Sequence, residues 1–159
     1  MNKNKLKQFV NALDALSDDV KDWRVIMMST DKPSRDTCGC HAGLISIVAE
    51  NLPELQEIYK PLYSLECESV GKKKNHYIFS VWSTALAIFL GFKGEEDLEM
   101  WAAKNYKLWG NTFGRDMFLS QFAFTNGLYM KIKHIDIINH WKQVLKNIEE
   151  EEVKNDEQR

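Results

Sequence analysis

Cysteine, proline and histidine are scarce in this chain, at three, three and four of its 159 residues. An odd, small number of cysteines does not make a disulfide scaffold. Met1 to Gln8 carries lysines and leads into an amphipathic pattern, where a secretory signal would have an apolar core and a cleavage site. Reduced thiols in a cytoplasm are therefore expected. With 44% hydrophobic residues the chain can bury one core without disulfide or metal staples, so a single domain over 1–148 is expected. Also missing are the phosphate loop G-x-x-x-x-G-K-S/T, the dinucleotide fingerprint G-x-G-x-x-G, the zincin H-E-x-x-H, the nucleophile elbow G-x-S-x-G and any internal repeat. No cofactor is expected.

A strong charge of either sign is lacking as well. The formal net charge is −2, and acidity concentrates in a terminal run of six carboxylates from Glu149 to Glu157, which leaves the body slightly basic. Residues 149–159 read as an acidic tail that frays. Lys72-Lys73-Lys74 is the only basic run and reads as a solvated loop, so nucleic-acid binding ranks below the other readings. The longest apolar run, Tyr77 to Phe92, is 16 residues interrupted by Ser80, Ser83 and Thr84. That is short of the roughly 20 residues a membrane span needs, so a membrane partner is not expected.

What the run does specify is a helix apolar on nearly every side. The expected fold is mainly α, a single helical domain around a buried central helix over about 75–92, in which Trp82 and Phe89 share a buried face. Leu6, Phe9, Val10, Leu13 and Leu16 recur at helical spacing and predict an amphipathic helix from Lys3 to Leu16. Ser17-Asp18-Asp19 ends it. Residues 23–28 lean towards β, and 128–133 alternates in its second half, so the two are expected to pair as a small antiparallel ribbon packed on helices. Pro53 opens a short helix that Pro61 is expected to stop near Tyr59. Glu95-Glu96-Asp97 forms the negative first turn of a helix through Leu98, Met100, Trp101, Ala102 and Tyr106. A last helix capped by Asp136 carries Ile137, Ile138, Trp141, Val144, Leu145 and Ile148 on one face.

Two stretches carry candidate chemistry. In Asp36-Thr37-Cys38-Gly39-Cys40-His41-Ala42-Gly43, two cysteines and a histidine crowd the start of an apolar helix through Leu44, Ile45, Ile47 and Val48. Asp36 or Thr37 as N-cap puts Cys38 and Cys40 in the first turn, where unpaired N–H groups favour a thiolate. Either is the catalytic candidate if the protein is a cysteine-dependent hydrolase or transferase. Close packing of small residues is the preferred reading. Adjacent helical side chains diverge by about 100°, so His41 cannot easily serve its neighbour Cys40 as a base. Cys38, Cys40 and His41 also lie too close for zinc, and His134 and His140, six apart, diverge by about 240° on a helix, so no metal is expected. Cys67, between Glu66 and Glu68, is a poor nucleophile.

The second stretch, Trp109-Gly110-Asn111-Thr112-Phe113-Gly114-Arg115-Asp116, places polar groups between aromatics in a glycine-bearing turn. Trp109, Asn111, Phe113, Arg115 and Asp116 are the candidate binding residues, since loops on rigid scaffolds present interface anchors. The alternative, which carries more weight, is that Trp109 and Phe113 plug the ends of adjoining helices.

Cys38-Gly39-Cys40-His41-Ala42 looks faintly like the C-G-x-C-W start of papain-like proteases, departing by one missing residue between the cysteines and by His41 in place of Trp. Over residues 6–50, the order of N-terminal helix, Trp-containing extended piece, polar loop and cysteine-glycine helix start resembles a loose group of small uncharacterised phage and bacterial proteins with the wording C-G-T-x-x-C-x-x-G-W. The cysteine spacing differs, and no Trp follows Gly43. The resemblance implies a small cytoplasmic accessory protein, phage-encoded. With no cofactor motif in view, the expected function is binding a host or partner protein so as to occupy or inhibit it.

Overall fold

The protein is mainly α-helical. Its computed structural model describes residues 1–23, 41–70, 78–110 and 133–159, of which 41–42, 66–70 and 78–80 are described as backbone only. Among the described residues there are eight helices: α1 (Lys3–Asp14), α2 (Asp18–Asp22), α3 (His41–Ala49), α4 (Pro53–Val70), α5 (Ile78–Phe89), α6 (Glu95–Lys104), α7 (Tyr106–Trp109) and α8 (His134–Glu157).

The central element is α5, as its composition requires. Val81, Ala85, Leu86, Ala87 and Phe89 are buried on it, and α3, α4 and α6 all pack against it. Trp82 is only half-buried, because it sits at the α4 edge of that core with its ring stacked 3.7 Å from Tyr59 at an interplanar angle of 6°. α1 contributes Leu6, Phe9, Val10 and Leu13, the residues that its period selects, and closes the core against α8. The first turn of α1 is satisfied by Asn2, whose Oδ1 accepts the Lys5 N–H at 3.1 Å. Ser17 both follows the end of α1 and starts α2, its hydroxyl accepting the Val20 N–H at 3.3 Å. What read as a break is thus also an N-cap.

Pro61 does not stop α4, which continues to Val70. The proline's φ suits a helix and only its N–H is missing, so the penalty is one lost ladder bond and a local clash. Packing offsets it: Tyr59 stacks on Trp82 just before the proline, and Leu62 packs on the core just after it. The C-terminal tail expected to fray continues α8 to Glu157, where Glu149 and Glu152 pair with Lys7 and Lys3 of α1. The 23–28 with 128–133 ribbon falls almost wholly outside the described residues. At its margin, the N–H of His134, the residue after it, donates to the Trp23 carbonyl at 2.9 Å.

The chain leaves α5 through Gly91, whose φ of 93° lies in the left-handed region. A Cβ there would stand 3.3 Å from the Cβ of Asn2, whose own N–H donates to the Leu90 carbonyl at 2.7 Å. Conformation and space both demand glycine. Gly91→Ala is expected to destabilise the fold by roughly 1–2 kcal/mol, measured by urea unfolding. An unchanged midpoint would mean that this turn is not fixed as described.

Candidate binding surface

Trp109 is a core residue, 1% exposed, and lies at the centre of an aromatic cluster. Its ring meets Trp141 edge-on at 5.2 Å, His140 at 5.0 Å and Trp101 at 6.2 Å, while Phe9 packs edge-on against Trp141 at 5.3 Å. This is the plugging role weighed for it from sequence. Asn111, Phe113, Arg115 and Asp116 lie outside the described residues, as do Cys38 and Cys40. Cys67 falls on the backbone-only end of α4.

The two histidines whose side chains are described, His134 and His140, are both on α8 and do different things. His134 is fully buried at the start of the helix, with its Nδ1 3.0 Å from the Val20 carbonyl oxygen and its ring tilted against Trp23 at 6.1 Å. Burial outweighs that hydrogen bond and pushes its pKa down to about 4. His140 stands against Trp109 and over Gly110, and burial lowers its pKa to about 4 as well. Its Nε2 is enclosed and has no hydrogen-bond partner among the described residues. Both rings are neutral at pH 7 and serve to tie α2 and α7 to α8. Among the described residues, no three His, Cys, Asp or Glu side chains gather closely enough to hold a metal ion. No helix among them is long and apolar enough to cross a membrane.

Large apolar side chains stand exposed on α6 and on α7. Leu98 and Ala102 turn inward, and Trp101 packs partly on the same core. Met100 is two residues from Leu98 and so about 200° away, which puts it in water at 55% exposure. Tyr106, opening α7, is 62% exposed. Both stand in the run read as one helix from sequence, and the angular spacing alone separates Met100 from inward Leu98 and Ala102.

The first turns of α6 add an unusual charge arrangement. Glu95, Glu96 and Glu99 lie within five residues, and none of the three has an ion-pair partner among the described residues. Partial burial, then repulsion from Glu99 and Glu96, raises the Glu95 pKa to about 7. Burial and Glu96 raise that of Glu99. The positive end of the helix dipole favours the carboxylates here, and desolvation overrides it. Lys93 cannot relieve them through its backbone, whose N–H is already taken by the Asp97 carboxylate at 3.0 Å.

In comparison with known proteins, the chain matches no family model, no curated protein and no solved structure.

Proposed function

We propose that this is a small accessory protein that works by binding a partner protein, using the outward side of α6 and α7 and the stretch 111–116 that follows it in the chain. In keeping with the resemblance over residues 6–50, we place it in the cytoplasm as a phage-encoded protein whose partner belongs to the host. The observation that carries the binding reading is the pairing of exposed Met100 and Tyr106 with three glutamates that lack cationic partners among the described residues. Apolar side chains in water and like charges partly withdrawn from it are each relieved by a partner that covers the first and neutralises the second.

The test is affinity capture with the native protein and with a Met100→Asp/Tyr106→Ser double variant, scored against Leu65→Ser, which alters an equally exposed residue on α4. Exposed substitutions of this kind change stability by about 0.5 kcal/mol or less, so folding is not at issue. A stoichiometric protein partner is expected with the native chain and with Leu65→Ser, and at least a tenfold weaker capture with the double variant. Equal capture by all three would remove the α6–α7 surface from the reading. Capture of no protein by any of them would overturn the binding function itself. Trp109→Ala is unsuited to this purpose, since it opens the core.

A further inference from the structure

We draw no further inference here: the strongest candidate, the acidic side-chain cluster of Glu95, Glu96 and Glu99 beside exposed Met100 on α6, belongs to the surface already described, and nothing in the structure shows which partner covers it.

Discussion

Trp141→Ala is expected to lower the unfolding free energy by about 3–5 kcal/mol. The indole is fully buried and belongs to the single core cluster. On one side it receives Phe9 of α1 edge-on at 5.3 Å with an interplanar angle of 89°, and on the other Trp109 of α7 at 5.2 Å and 83°. Edge-to-face pairs of this geometry are worth about 0.5–1.5 kcal/mol beyond the area they bury. Removing the ring therefore forfeits burial, two aromatic contacts and close packing at once, and the helices around it cannot collapse far because each is held elsewhere. Small domains are stable by only about 5–15 kcal/mol, so the variant should be partly unfolded at moderate urea where the native chain is intact. Trp82→Ala should cost less than half as much, because Trp82 is half-buried and loses chiefly its stack on Tyr59. Urea titrations of both variants decide the matter. Equal losses would mean that Trp82 contributes as much buried contact as Trp141 does, against the half-burial described for it.

That comparison marks where sequence reading was informative and where it was not. Periodicity found the buried residues of α1 and α8 because each helix has one apolar face and one wet face, and the alternation is written into the spacing. On α5 nearly every position is apolar, so composition located the central helix but could not say which side is deepest, and Trp82 was placed inward when it lies at an edge. Pro61 lies inside α4 without ending it. Its local penalty is a few kcal/mol, which the contacts of Tyr59 and Leu62 on either side outweigh, and those contacts are tertiary facts that a single sequence does not display. The acidic tail continues α8 to Glu157. Its helix is supported by Lys3 and Lys7, more than 140 residues earlier in the chain. As for the candidate site, Trp109 was legible as a plug, whereas the outward position of Met100 required the helical angle to be applied residue by residue.

Acid should loosen this fold between pH 6.5 and 4, well before most carboxylates titrate. His134 and His140 each have a pKa near 4 in the folded protein against an ordinary value of 6.5, because both rings are buried neutral. In that window the unfolded chain binds protons that the folded chain refuses, so stability falls as pH falls, by about 3 kcal/mol per histidine once pH 4 is reached. Glu95 acts in the opposite sense. Its folded pKa of about 7 lies above the ordinary 4.5, so the folded chain takes up a proton first and gains stability as pH drops from 7 to 4.5. Glu95 is in part exposed, and solvent screening makes its gain smaller than either histidine's loss. The native protein should therefore lose on the order of 3 kcal/mol or somewhat more between pH 7 and 4.5. Glu95→Gln removes the offsetting gain, so it should be more stable than the native chain at pH 8 and should fall more steeply towards pH 4.5. His140→Gln should flatten the native profile, since it withdraws one of the two histidine losses while leaving the glutamate gain. Asp14, held down by Lys142, titrates below this window and does not blur it. The measurement is a series of urea titrations across pH 8 to 4.5, with the ring-proton shifts of both histidines followed by NMR in the same samples. A histidine that titrates near 6.5 in the folded protein, or a Glu95→Gln profile no steeper than the native one, would show that these groups are not desolvated as the packing of α2, α6 and α7 requires.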